Sequence, residues 1–353
     1  VMTRFLYFAL SCLLLAACSS KRSDDTLRFF QRGNIELKAG DRTEAIRLYS
    51  EAIATDEDFP DAYNNRGVAY MNGGEYERAI GDFSEALRLS PDYKQARFNR
   101  AQAFEKAGQP VKSLEDLQRI ADDYKDSAQF YLLRGNLYVS RNDLREALKD
   151  YSVAVSRYVK DTVRNREASK RNLTEAYVNR GVVHYNLRDD HSAEHDFKIA
   201  LAIDSLQDFA CNNLAQVYVR RKQYDSALVF LNKAARLNPN QPYYRNNFGY
   251  ALIQNGNLEE GMSEIRKSLA LDGNNAWAYR NLGVYHLRKK NFAEALANLR
   301  KAGELGSGVE LLRFYLGEAY LGLGDTDEAC ESWRMSKELG EKEAESRLKE
   351  YCK

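Results

Sequence analysis

The chain has 353 residues, with 52 Lys+Arg against 51 Asp+Glu. Balanced, interspersed charge excludes a strongly basic or acidic field and argues against nucleic acid as the main partner. There is no phosphate-cradling glycine loop and no nucleophile elbow. The segments taken below account for every residue, so no stretch remains for a catalytic domain.

Residues 1–17 read as an export signal. Arg4 precedes an apolar run from Phe5 to Leu15 that is too short for a comfortable membrane span. Leu15-Ala16-Ala17-Cys18 follows and resembles a bacterial lipobox, in which the cysteine is acylated and becomes the mature N-terminus. An ordinary cleaved signal and a single membrane anchor are the alternatives. Residues 18–25 then form a lipidated N-terminus and tether. Its seven residues from Ser19 to Asp25 extend at most about 25 Å, which places the fold close to a membrane face. Ser19 after the cysteine resembles outer-membrane sorting in enteric bacteria, and implies an envelope protein facing the periplasm.

From residue 26 a unit of 34 residues recurs nine times, starting at 26, 60, 94 and 128, then at 174, 208, 242, 276 and 310. Unit position 8 is small throughout, from Gly33 and Gly67 to Gly317, and position 20 is equally small, from Ala45 and Ala79 to Ala329. Position 27 is small except at Ile120. Each unit has two helical windows around a break, where Gly40, Gly74, Gly108, Gly256 and Gly324 suit the left-handed residue that ends a helix. Small residues let two antiparallel helices approach closely. A larger residue at position 24 (Tyr49, Phe83, Leu117, Tyr151, Phe197, Leu231, Ile265, Leu299, Trp333) fills the space beside them. One such hairpin cannot bury its apolar faces alone, so the units are expected to stack.

Tyr63, Gly67, Tyr70, Ala79, Phe83, Ala86 and Pro91 of the second unit carry a resemblance to the tetratricopeptide repeat. Arg66 stands in the leucine position of that pattern, and Arg97, Arg245 and Arg313 replace the usual aromatic at position 4. The family proline is kept only at Pro91 and Pro239, and the third unit, with Pro110 after its turn, is the weakest. The resemblance implies an all-α, right-handed superhelical solenoid of nine hairpins: repeats one to four over 26–161 and repeats five to nine over 174–343. Between them lies the insert 162–173, with Arg164, Arg166, Lys170 and Arg171 against Glu167. It is expected to be a solvated loop, the alternative being a lengthened second helix of the fourth unit that projects a basic finger.

His191 and His195, with Asp189, Asp190 and Glu194 nearby, form the best metal-ligating candidate. Histidines four apart share a helix face, but they fall on outward positions, so no metal and no cofactor is expected. His184 and His286 occupy tyrosine positions and are expected to pack between helices.

In the resembled family the first helix of each unit lines the concave surface. Position 6 is asparagine at Asn65, Asn99, Asn179, Asn213, Asn247 and Asn281. A row of amides can donate to and accept from a peptide backbone, or can merely suit a solvated inner face. Position 2 changes from Asp61, Gln95, Gln129 and Glu175 to Phe209, Tyr243, Trp277 and Leu311. Arg220, Arg280 and Arg288 are expected on the same wall. Aromatic anchors beside amides and guanidinium groups suit peptide recognition in the sixth to eighth repeats, unless the rings pack on the preceding helix. The expected function is a non-catalytic, lipid-anchored adaptor of the cell envelope that binds protein or peptide partners and no small-molecule substrate. It resembles pilus-secretin pilotins and adaptors for peptidoglycan hydrolases. A glycan- or peptidoglycan-binding protein is the alternative.

Cys211 takes an aromatic position and is expected to be a buried small hydrophobe. Cys330 lies on the second helix of the last unit, and Cys352 near the end of an amphipathic stretch, Glu343 to Tyr351, that can cap the stack, with residues 344–353 as the C-terminal cap. A disulfide between them would pin the terminal helix; two free thiols are the alternative. This ending also resembles repeat lipoproteins of Bacteroidota.

Overall fold

The computed structural model describes residues 22–162, 166–306 and 308–352. Residues 1–17, which read as an export signal in the sequence, and Cys18 and Arg164 lie outside the described residues. Among those described there are nineteen α-helices and no strand.

The chain divides into two compact units at Arg141 and Asn142. The first contains α1 (Asp24–Ala39), α2 (Arg42–Thr55), α3 (Pro60–Asn72), α4 (Tyr76–Leu89), α5 (Lys94–Lys106), α6 (Pro110–Arg119) and α7 (Ala128–Ser140). The second contains α8 (Leu144–Thr162), α9 (Arg166–Asn186), α10 (Asp190–Ile203), α11 (Asp208–Arg220), α12 (Tyr224–Leu237) and α13 (Pro242–Gln254). It continues with α14 (Leu258–Leu271), α15 (Ala276–Arg288), α16 (Phe292–Leu305), α17 (Leu312–Gly322), α18 (Thr326–Glu338) and α19 (Glu343–Tyr351). Within each unit successive helices pack on one another in chain order, which is the stacked-hairpin solenoid expected from the repeat.

The turn inside every hairpin is made the same way. Residue 15 of each repeat is left-handed: Gly40, Gly74, Gly108, Gly256 and Gly324, but also Asn142, Arg188, Lys222 and Lys290, at φ of 59–64°. In the second repeat this lets Glu75 N donate to Tyr70 O at 3.0 Å and Gly74 N to Met71 O at 3.0 Å, which satisfies two carbonyls the helix end leaves free. Only glycine takes this conformation without a Cβ clash, so the four other residues carry strain held by the surrounding packing.

Close helix approach follows from positions 8 and 24. A Cβ added to Gly67 would stand 2.7 Å from the Phe83 ring, and one added to Gly33 would stand 2.7 Å from Tyr49. All nine residues at position 24 are buried. In the third repeat Ile120 replaces the small residue of position 27, and α6 is correspondingly short, with 10 residues against 14 in α4. Ile120 turns into a core with Phe98, Leu117 and Phe130 instead of letting the helix continue. Pro110 begins α6, where its missing N–H costs nothing.

Arg66 is an addition to the pattern, not a defect in it. It forms a two-pronged ion pair with Asp82 at 2.8 Å and donates to Ser50 Oγ at 3.0 Å. Arg100 repeats this with Asp116 and Ser84, and Arg180 pairs with Asp196 at 2.7 Å. The same two positions are Leu214 and Phe230 in the sixth repeat, so the ionic pair of the earlier repeats is replaced there by an apolar one. Arg97 and Arg245 fill the space of the lost aromatics by donating to the carbonyls of Pro91 and Pro239, and each reaches an acidic residue, Asp116 or Glu264.

One expectation is corrected, and one repeat begins differently from the rest. The insert is not a loop at residues 166–173: α9 begins at Arg166, because this stretch has no Gly or Pro and is rich in strong helix formers. The last repeat does not begin as a helix at 310. Leu311 is left-handed at φ 58°, and α17 starts at Leu312. Val309 and Leu312 bury themselves against Leu299 and Ala302, and the Leu311 N–H donates to Glu341.

The C-terminal helix caps the stack. Cys330 and Cys352 are joined with Sγ atoms 1.93 Å apart. Trp333 is fully buried with its Nε1 donating to Phe314 O, while Ala344 and Leu348 cover it. Arg347 makes a two-pronged pair with Glu318 at 2.8 and 2.9 Å. Cys211 is buried, and burial raises its thiol pKa.

Candidate functional site

The wall that matters lies in the second unit. Neighbouring first helices α9, α11, α13, α15 and α17 touch one another in series, whereas the second helices of those hairpins make no comparable contact. First helices therefore converge on the inner side, and positions 2, 5 and 6 of each repeat face along it.

The asparagines of that wall are engaged with each other. Asn247 Nδ2 donates to Asn212 Oδ1 at 2.9 Å and Asn281 Nδ2 to Asn246 Oδ1 at 2.8 Å, each bond running from position 6 of one repeat to position 5 of the repeat before. Asn99 and Asn64 do the same in the first unit at 2.9 Å, and Asn65 donates to Asn34 at 2.8 Å. Asn213 turns back onto Phe209 O, and Asn179 is half-buried. Asn99 and Asn281 are buried outright. At Asn65, Asn99, Asn247 and Asn281 one amide N–H thus joins a repeat to the repeat before it, and a partner cannot take that N–H without breaking the bond. Reading positions 5 and 6 together, as in Asn212-Asn213 and Asn246-Asn247, rather than position 6 alone, would have shown the pairing.

The rings at position 2 do not pack away. Phe209, Tyr243 and Trp277 remain 46%, 47% and 40% exposed, and the last two meet edge to face with centroids 6.4 Å apart. Leu311 does not continue the row on a helix. In the first unit the equivalent residues are polar, and two of them are internally bonded: Asp61 accepts from the Tyr93 hydroxyl at 2.7 Å, and Gln95 donates to Asn99 at 2.9 Å.

The three arginines separate into different roles. Arg220 lies over the Tyr185 ring at 3.4 Å, donates to Tyr185 O and pairs with Asp190, so it fastens α11 to the fifth repeat. Arg288 is exposed and donates to Gln254 Oε1 at 2.9 Å. Arg280 is buried between Tyr250 and Tyr315, whose hydroxyls are 3.3 Å apart. Burial, followed by the neighbouring Tyr250, raises the Tyr315 pKa well above the ordinary phenol value. These two tyrosines were not picked out from sequence; their only signal was that position 6 ceases to be asparagine at Tyr315.

The histidine motif is otherwise occupied. Glu194 accepts from Lys198, Tyr218 and Arg221, and the Lys198 bond, ahead of those to Arg221 and Tyr218, brings its pKa down to about 2. Asp190 holds Arg220, and His191 and His195 are exposed. No group of three or more metal-ligating residues is found among the described residues. His184 lies between Asp189 and Asp196, and burial lowers its pKa; burial does the same to His286.

Comparison with known proteins gives a consistent family. A model described as tetratricopeptide repeat matches residues 30–94, 70–128, 98–162 and 246–310. Related tetratricopeptide models match 208–241 and 311–335. No curated protein matches. Among solved structures, one titled for Pseudomonas aeruginosa pilF is 16% identical, with 63% of this chain and 96% of that chain covered and a TM-score of 0.53. YrrB, titled as a TPR protein with an unusual peptide-binding site, is 28% identical over 56% of this chain and 95% of its own, at a TM-score of 0.42. Yeast Tom70 is 17% identical over 92% and 95%, at 0.38. At these identities and scores the pilF likeness supports the fold, and nothing about function is taken from any of the three.

Proposed function

We propose that this chain, which belongs to the tetratricopeptide repeat family, binds an extended segment of a partner protein on the inner wall of residues 208–288. Protein–protein interaction scaffolding is the general role of such arrays. One observation carries the finer reading. Phe209, Tyr243 and Trp277 are large apolar rings left 40–47% exposed at one register of the first helices of three successive repeats. Rings in such a row bury area on a partner at low side-chain entropy cost. The adaptor has no reaction of its own. A cell-wall glycan is the competing occupant, since exposed rings also stack on sugars.

The adaptor is further proposed to be lipid-anchored through Cys18 in the cell envelope, at the outer membrane facing the periplasm. Support comes from the Leu15-Ala16-Ala17-Cys18 run and from Arg22, which is already fixed to the fold. Arg22 pairs with Asp56 at 3.0 Å and lies 4.0 Å from the Phe59 ring centroid. Four residue steps from Cys18 to Arg22 span about 14 Å at most, so the first hairpin would sit against the lipid headgroups.

The test is crosslinking in the native envelope with identification of captured proteins, run beside a Phe209→Ala/Tyr243→Ala/Trp277→Ala variant. Loss of specific partners in the variant supports the groove. Equal capture by both proteins removes it, and loss of binding to purified cell-wall fragments alone would transfer the site to the glycan reading.

A further inference from the structure

The Cys330–Cys352 bridge is not sealed inside the cap. Cys330 is 6% exposed, but Cys352 lines an open cleft of about 510 Å3 between α18 and α19. Arg334, Lys337 and Glu338 of α18 and Leu348 of α19 form the rest of its lining. Two cations thus stand there against one acid. Arg334 also reaches Glu331 at 3.3 Å, with both side chains largely exposed, and Lys337 is exposed. Cations beside a sulfur favour its thiolate form and draw in an incoming thiolate. A bridge reachable through one of its two cysteines, at a positive rim, suits exchange with a second pair of thiols.

The bridge holds a lightly attached element. α19 has 9 residues, and Ala344 is the only one of them buried. That is shorter than the roughly 12–15 residues at which an isolated helix begins to hold in water. Its other ties are the partly exposed Arg347–Glu318 pair and the contacts of Leu348 and Tyr351 with Trp333. The connection before it is fixed independently, since Glu341 accepts from the Leu311 N–H and from Ser336 Oγ. The movable part therefore begins at Lys342. A covalent link across 22 residues favours the closed cap by about 100-fold over the unlinked chain.

We propose that this bridge is a thiol–disulfide exchange site, and that its reduction by a protein dithiol opens the cap. A thiolate of the dithiol attacks Cys352 Sγ, on the residue that faces the cleft. The Cys330–Cys352 bond breaks, and Cys330 Sγ leaves with the electron pair and takes up a proton. The second thiol of the reductant loses its proton and attacks the reductant's own sulfur in the mixed disulfide. Cys352 is released as a thiolate beside Arg334 and Lys337. Two electrons have passed to this chain, which now holds two reduced cysteines, and the reductant has become a disulfide. α19 then leaves Trp333, which is 0% exposed in the closed form, and the end of the array is unsealed. Exchange with a protein disulfide closes it again. The site lies apart from the row of rings and does not depend on it.

A full-length chain carrying Trp277→Phe has Trp333 as its only tryptophan, so its emission reports the cap. Reduced thioredoxin serves as the dithiol. It is expected to cut the bridge in the native protein, to shift Trp333 emission to the red and to make the chain cleavable by protease from Lys342 onward. Reoxidation should reverse the emission shift. Thioredoxin lacking its second cysteine should be trapped as a mixed disulfide on Cys352. Arg334→Gln with Lys337→Gln should slow the exchange about tenfold, with thermal unfolding of the oxidised form as the check on folding. Reduction in denaturant alone, or trapping on Cys330, overturns the exchange site. Reduction without a red shift or cleavage overturns the opening of the cap, and an unchanged rate in the double variant overturns the part given to the two cations.

Discussion

Asn281 donates from Nδ2 to Oδ1 of Asn246 at 2.8 Å, with the donor 1% exposed and the acceptor 2%. The bond crosses from one hairpin to the hairpin before it, so a side chain that a peptide was expected to meet is instead part of the stack. Asn246→Ala removes the acceptor and leaves the Asn281 amide enclosed and unpaired. The expected cost is about 1–3 kcal/mol, read as a lowered midpoint in urea with the slope unchanged.

The ion pair of Arg180 with Asp196, whose side chain is 2% exposed, predicts an asymmetry. Asp196→Ala leaves a half-buried guanidinium without its partner and should destabilise the second unit by about 1–3 kcal/mol. The double change Arg180→Leu with Asp196→Phe reproduces the pair Leu214 and Phe230 found one repeat later. It should recover most of that loss in the same denaturation experiment.

Lys222 and Lys290 hold left-handed turns at φ 59°, where five other repeats have glycine. Relief of the Cβ clash is worth about 1–2 kcal/mol per residue, offset by the greater chain entropy of glycine when unfolded, about 0.5–1 kcal/mol. Each Lys→Gly change is expected to raise the melting temperature slightly, and Lys222→Val to lower it.

Acid should weaken the second unit in two stages. His184 and His286 have folded pKa values below the ordinary 6.5, chiefly through burial. Their neutral forms belong to the fold, so this stability is present above pH 6.5 and declines as pH falls below it. Glu194, at about 2 against an ordinary 4.5, contributes stability that is complete above 4.5 and is lost as pH falls toward 2. Unfolding followed against pH should show both declines, and Glu194→Gln should flatten only the lower one.

Much of this architecture was legible in advance because hairpin stacking is set by side-chain size at fixed intervals. Gly67 under Phe83 and Gly33 under Tyr49 are size rules, and a sequence displays size directly. The left-handed turn was visible where glycine occupied it and hidden at Arg188, Lys222 and Lys290, since there packing overrides local preference. The candidate wall was only half legible. Exposure of Tyr243 and Trp277 followed from their register, but the engagement of Asn247 with Asn212 depends on a contact between repeats that no single position reveals. Arg220 and Arg280 look alike in the sequence. Asp190 lies beside Arg220 and, among the described residues, no acid pairs with Arg280, and that difference arises only when hairpins are stacked.

The most direct test places a photo-crosslinking amino acid at Tyr243 or Trp277 in the intact protein in its native envelope, with Val229 as control. Val229 is 65% exposed on α12, a second helix away from the inner wall. Discrete protein adducts from 243 and 277 and none from 229 are the predicted result. Equal labelling at all three sites, or adducts from 229 alone, would contradict a partner seated on the row of rings.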